Sequence, residues 1–199
     1  MSYKDTNNIF DRLGGAYSTG GHDASTRHLI DMSRHYYEQS SFREKLNEHL
    51  LVGELLKLSW VRGTCDVEVA KPEVDNAGYD IIAEANGIIR HIQLKASYLG
   101  GATSKQKVHT RLSEKPSGCV VWAIFDEEKL DLGPFLFFGA EPGLPLPSLA
   151  SARVARHTKG NKDGYKAERP NIREVNKGQF QALPDVNSLF NALFGEAGA

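Results

Sequence analysis

The chain has 199 residues, 40% hydrophobic and 25% charged, with a formal net charge of −1 and a pI near 6.7. Those values suit a globular domain with a full core, and they exclude both whole-chain disorder and a global pull toward nucleic acid, so any such contact has to come from a local patch. Cys65 and Cys119 are too few, and not spaced as C-x-x-C, for a zinc site or a disulfide framework, and both read as reduced thiols. The opening MSYKDTNN has no apolar leader core and no stretch approaches eighteen apolar residues, so the expectation is a cytoplasmic protein without a membrane partner.

Residues 1–23, with Gly14-Gly15 and Gly20-Gly21, read as a loose arm, and residues 24–199 as a single α/β domain. Ser25 can cap a helix reaching about Gln39, with Leu29, Met32, Ser33 and Tyr36 at helical spacing. The Tyr36-Tyr37 pair belongs to a core or an interface more readily than to a base-stacking platform. A second helix is expected over residues 41–60, largely buried, because Leu46, Leu50, Leu51, Leu55, Leu56, Leu58 and Trp60 lie nearly all round the cylinder. Glu54 falls between Leu50 and Leu58 in one apolar row, where an ionised carboxylate has to be paired or bound to metal. A salt bridge to Lys57 or Arg62 would satisfy it equally well, and Glu48 is the second candidate on this helix.

Residues 65–70 alternate Val67 and Val69 with Asp66 and Glu68 and read as a first strand, ended by Lys71-Pro72. Glu73, Asp75 and Asn76-Ala77-Gly78 form an acidic turn. An Asx-type turn accounts for Asp75 as well as a metal-side role would. Next, Asn86-Gly87 separates two β-branched runs, the strongest short signal for a two-residue type I′ hairpin. Folding there sets Ala85 opposite Ile88, Ile82 opposite His91, Asp80 opposite Gln93 and Gly78 opposite Lys95. Side chains alternate along a strand, so Asp80, Gln93 and Lys95 share a polar face, while Tyr79, Ile81, Ala83, Ile92, Leu94 and Ala96 share an apolar one. His91 falls on the polar face and is a minor candidate for a phosphate contact or an acid. A carboxylate, a carboxamide and an ammonium together suit a hard divalent cation and a phosphate under attack, although a solvated hairpin face would carry the same residues.

The run Gly78-Tyr79-Asp80, twelve residues and then Gln93-Leu94-Lys95 resembles the core motif of the PD-(D/E)xK, or restriction-endonuclease-like, nucleases in a Gln-x-Lys variant. The resemblance covers residues 42–126. It implies an α/β fold with a mixed central sheet flanked by helices, and Mg²⁺, with Mn²⁺ as a substitute, as cofactor. In that reading Asp80 and Gln93 bind the metal, Lys95 assists the attacking water, and Glu54 from the preceding helix, Asp75 or Glu73 completes the acidic set. The activity implied is hydrolysis of phosphodiester bonds in DNA by an endonuclease of defence, restriction or repair type, with RNA left open as substrate and a homodimer favoured by two-strand cutting. The rival reading is a nuclease-fold protein without catalysis that binds nucleic acid or a protein, for which Gln93 in place of Glu is the best argument.

Beyond Lys95, residues 104–111 carry Lys105, Lys107 and Arg111 and read as the start of a helix or a substrate-facing loop. Residues 119–125 are a continuous apolar run expected as the central strand, and residues 134–139 a strand nearer an edge because Pro134 opens it. With helices on both sides of this sheet, an α/β sandwich follows. Between residues 151 and 178 eight cations face three acids, a balance of +5, including Lys159, Lys162, Lys166 and Arg169 around Tyr165. Within it the glycine-rich stretch 157–166 reads as one that can follow a phosphate backbone and let Tyr165 stack on a base, or simply as a solvated surface loop. Val186, Leu189, Phe190, Leu193 and Phe194, between Pro184-Asp185 and Gly195, predict a C-terminal helix packed on the core.

Overall fold

The computed structural model describes residues 39–196, apart from Asp75 and Glu127. The N-terminal arm and the helix expected from Ser25, with Tyr36 and Tyr37, lie outside the described residues, as does Asp75. Among the described residues two helices, α1 (Ser40–Arg62) and α2 (Val186–Phe194), accompany nine strands. Six of these form a mixed sheet in the order β1-β2-β3-β5-β6-β9, from β1 (Glu68–Ala70), β2 (Ile81–Ala85), β3 (Ile88–Tyr98), β5 (Gly118–Phe125), β6 (Leu132–Phe138) and β9 (Gln181–Leu183). Three more, β4 (Lys105–His109), β8 (Glu168–Asn176) and β7 (Arg153–Arg156), make a second sheet in that order. The α/β class with a mixed central sheet flanked by helices is therefore present. No described helix is long and apolar enough to cross a membrane.

The Asn86-Gly87 turn sets the register as the dipeptide predicts: φ is +51° at Asn86 and +71° at Gly87, and Ala85 pairs with Ile88 and Ile82 with His91. β3 then pairs in parallel with β5, from His91 opposite Gly118 to Tyr98 opposite Phe125. A parallel pair needs a long crossover. Here that crossover is β4 and a 3₁₀ helix over Thr110–Glu114, not the helix or loop expected for residues 104–111. The expectation failed because β4 finds its partner some seventy residues downstream, in β8.

β5 is the central strand, and its alternation divides the core. Cys119, Val121 and Ala123 face Leu51 and Leu55 of α1 and Leu189, Phe190, Leu193 and Phe194 of α2, whereas Val120 and Trp122 face Val108 of β4 and Val175 of β8. Both described helices thus contribute to one face of the main sheet, and the second sheet covers the other. Pro134 sits where the β5–β6 ladder shifts register between Ala123 and Phe125, a position that spares a ladder donor. β6 is one strand in from the edge, which is β9.

Helix α1 is one-sided, not buried all round. Asn47, Glu48, Leu51, Leu55 and Ser59 face inward, while Leu56, Trp60 and Val61 are exposed, Trp60 at 77%. A stripe recurring every four residues suffices to fill the sheet, so leucines outside it have nothing to pack on. Helix α2 begins at Asp185, whose carboxylate accepts the Ser188 N–H at 2.7 Å, and stops at Gly195 with φ +77°. Its last carbonyls meet Arg90, fully buried on β3, which donates to Leu193 O at 2.6 Å, Ala192 O at 3.0 Å and Ala140 O at 3.1 Å. A guanidinium at a helix C-terminus satisfies orphan carbonyls and meets the negative end of the dipole.

Candidate active site

Asp80 precedes β2, at the point where β2 ends and β3 runs on. Its N–H donates to Ile92 O at 2.8 Å, continuing the ladder, and its Oδ2 accepts the Leu94 N–H at 2.7 Å. The carboxylate thus takes the place of a strand partner for β3 beyond Ile92, a donor that would otherwise need one. The chain reaches this position through a turn at Gly78, where φ is +77° and an added Cβ would lie 2.4 Å from His109 Cβ. Arg111 Nη1 donates to Asn76 O at 3.1 Å, so the crossover after β4 pins the approach to Asp80. Gly78 has turned away from β3 and is not laddered with Lys95 as the register count expected. For the same reason Tyr79 leaves the apolar face assigned to it and packs in the other cluster, 4.9 Å from the His91 ring.

Asp80 and Lys95 line one cavity of about 270 Å³, closed on its helical side by Arg43, Asn47 and Glu48. Gln93 does not line this cavity. Instead of a solvated face, it occupies a position under the second sheet, 8% exposed, with its Oε1 lacking a hydrogen-bond partner. The polar face of the hairpin is buried because residues 105–109 and 168–176 fold over it, a pairing without a local signal. His91 is likewise turned to structure, its Nδ1 at 2.8 Å from Pro116 O.

Glu54 is not brought to the site. It is 38% exposed along its side chain and pairs with Lys57 at 3.4 Å, the alternative that sequence left open. Glu48 takes the position instead. Its side chain is 7% exposed and bonded by Lys45 at 2.8 Å and Lys71 at 2.9 Å. Burial pushes the Glu48 carboxyl up, but the hydrogen bonds from Lys45 and Lys71 outweigh it and hold the group below the ordinary carboxylate value. Lys45, bonded to Glu48 and drawn also by the Asp80 charge, is held above its ordinary value. Glu73 is exposed and does not line the cavity. Among the described residues no group of three or more His, Cys, Asp or Glu side chains is placed to hold a metal ion.

Asn47 and Arg43 escaped the sequence reading. Asn47 is 2% exposed, and the available signal was its place four residues before Leu51, which extends the 51–55–59 stripe to a polar side chain on the core face.

The cationic candidates divide into two groups. Lys105 and Lys107 lie on β4, where Lys105 pairs with Glu174 at 2.6 Å and Lys107 stands opposite the same glutamate, and Arg111 is committed to Asn76. Lys159, Lys162 and Lys166 are exposed on the loop that closes the β7–β8 hairpin, where a surface loop was expected, and Arg169 is exposed on β8 itself. The tip of the hairpin is ordered by Asn161, whose Oδ1 accepts the N–H groups of Asp163 at 3.0 Å and Tyr165 at 2.9 Å. Tyr165 is 65% exposed there. No protein-family model matches the chain, and a search of curated proteins finds no match either.

Proposed function

We propose that this protein is a metal-dependent nuclease that hydrolyses phosphodiester bonds in DNA, and that it belongs with the restriction-endonuclease-like enzymes. The observation that carries the reading is the shared cavity: Asp80 from the start of β2, Lys95 from β3 and Glu48 from α1 line one space, although the three are remote in sequence. Two carboxylates in one cavity fit Mg²⁺, which takes one or two from a protein and keeps several waters. Asp80 and Glu48 would hold the ion. Bound there, Mg²⁺ supplies neutralisation of phosphate charge and a more acidic water. The chain's own work is to place these groups: the Leu94 N–H orients the Asp80 carboxylate, and Lys95 contributes a positive charge where the phosphate gains negative charge in the transition state.

The test is incubation of the full chain with plasmid, single-stranded and branched DNA in Mg²⁺, Mn²⁺ or EDTA, alongside Asp80→Asn and Lys95→Ala. Cleavage that needs the metal and disappears in both variants is the expected result. Retention of DNA without turnover in any metal would replace this reading with that of a binding protein, and full activity in Lys95→Ala would remove the mechanism.

A further inference from the structure

A second cavity, of about 240 Å³, adjoins the first and shares Arg43, Asn47 and Ala96 with it. It continues along β3 past the point where β2 stops, so its wall is a strand edge that β2 does not cover. Three features distinguish it from a surface dent. The Arg43 guanidinium lies over the Tyr98 ring, 5.0 Å from its centroid, and hydrogen-bonds the Tyr98 hydroxyl, which gives one wall a flat, positively charged layer. Thr103 offers a hydroxyl-bearing side chain on the same lining. Between the two cavities stands Asn47, more than nine-tenths buried, with an Oδ1 that has no hydrogen-bond partner, a costly arrangement unless something supplies one.

We propose that this second cavity is a subsite for one unpaired nucleobase of the substrate strand, stacked on the Arg43–Tyr98 layer and hydrogen-bonded by the Asn47 carboxamide. The proposal rests on the nuclease reading of the neighbouring cavity and narrows its substrate to DNA with at least one base out of the duplex stack. Guanidinium and aromatic planes are the surfaces on which splayed bases stack, and a carboxamide offers both the donor and the acceptor that a base edge requires. A paired base keeps its edge and both faces occupied, so duplex DNA has nothing to insert. The phosphate next to the captured base would then fall toward Asp80 and Lys95, because Asn47 and Arg43 border both spaces.

The experiment is fluorescence anisotropy of the full chain in EDTA with a labelled single strand, its duplex, and the same strand carrying an abasic nucleotide at each position in turn. The single strand should bind more tightly than the duplex, and one abasic position should weaken binding on the order of tenfold. Tyr98→Ala should cause a similar loss on the intact strand and no further loss on that abasic strand, while Asn47→Ala should level the base preference there. Equal affinity for strand and duplex, an abasic scan without a sensitive position, or additive losses in the combination would each overturn the subsite. Should Tyr98→Ala fail to fold, the abasic scan on the wild-type chain decides alone. Adding Mg²⁺ to the same samples reads the parent hypothesis separately: base-dependent binding without cleavage would leave the subsite and remove the nuclease.

Discussion

At the scale of single residues, two glutamates six positions apart on one helix are set to opposite uses by where the helix turns them. Glu48 lines the cavity with Asp80, whereas Glu54 faces Lys57 and solvent. Cleavage rates of Glu48→Gln and Glu54→Gln separate the two: the first should lose at least a hundredfold, in the range typical of a group that stabilises charge in the transition state, and the second should remain near wild type. Equal losses would return Glu54 to the site. Glu48 also carries a pH signature. Its folded-state carboxyl is held below the ordinary value, so the unfolded chain binds that proton more readily. The stability it contributes is complete above about pH 5 and is lost as pH falls through the ordinary carboxylate range toward the lowered value. In urea melts between pH 7 and 3 (the pH range being about that of carboxylate titration), Glu48→Gln should flatten part of the fall in midpoint. Asp66, lowered by hydrogen bonds from Thr64 and Asn86, keeps a slope in the variant. An unaltered curve would mean that the Lys45 and Lys71 pairs add nothing to stability.

At the scale of elements, legibility followed locality. The β2–β3 hairpin, the central strand β5 and helix α2 were each specified by a short-range signal: an Asn-Gly turn, an uninterrupted apolar run, and an Asp cap with a glycine stop. The second sheet was not legible, because β4 and β8 are largely polar strands whose fully buried apolar residues, Val108 and Val175, join one cluster across a large sequence separation. That omission also misplaced Gln93, whose face was counted as solvated. Asp80 and Lys95 line the same cavity, but the ladder that the register count relied on stops at Ile81 and Ile92, and the detail that orients Asp80, its bond to the Leu94 N–H, arises where alternation stops. Arg90 was invisible for a similar reason, since its partners are carbonyls at the end of a helix a hundred residues away. Its removal should be costly: Arg90→Leu strands buried carbonyls of Leu193, Ala192 and Ala140, and the expected loss is on the order of 3 kcal/mol in equilibrium unfolding. A loss under about 1 kcal/mol would show that water reaches these carbonyls.

At the scale of the whole molecule, a near-neutral chain keeps its charge unevenly. The first 150 residues carry sixteen cations and twenty acids, while residues 151–178 carry eight and three. The fold sends this excess to the β7–β8 hairpin of the second sheet and the candidate chemistry to the β3 edge of the first, so in the proposed function binding and hydrolysis would rest on different elements. Distant sites without shared partners act additively, and the two should therefore fail independently. Replacing Lys159, Lys162 and Lys166 together by alanine should weaken DNA binding while sparing turnover at saturating DNA. Lys95→Ala should abolish turnover and leave affinity nearly unchanged. The distinction is physical: exposed lysines along a phosphate backbone release counterions and give salt-sensitive affinity, whereas a charge beside the reacting phosphate acts in the transition state. Each backbone-contacting lysine removed should reduce the slope of log affinity against log salt by roughly 0.9 on duplex DNA and roughly 0.7 on single strands. Measured on both, the triple variant thus reports which form the hairpin follows. An unchanged slope would move the DNA path off the hairpin. Lys105, Lys107 and Arg111 would then be the next to test, although Lys105 is already paired with Glu174 and Arg111 with the Asn76 carbonyl.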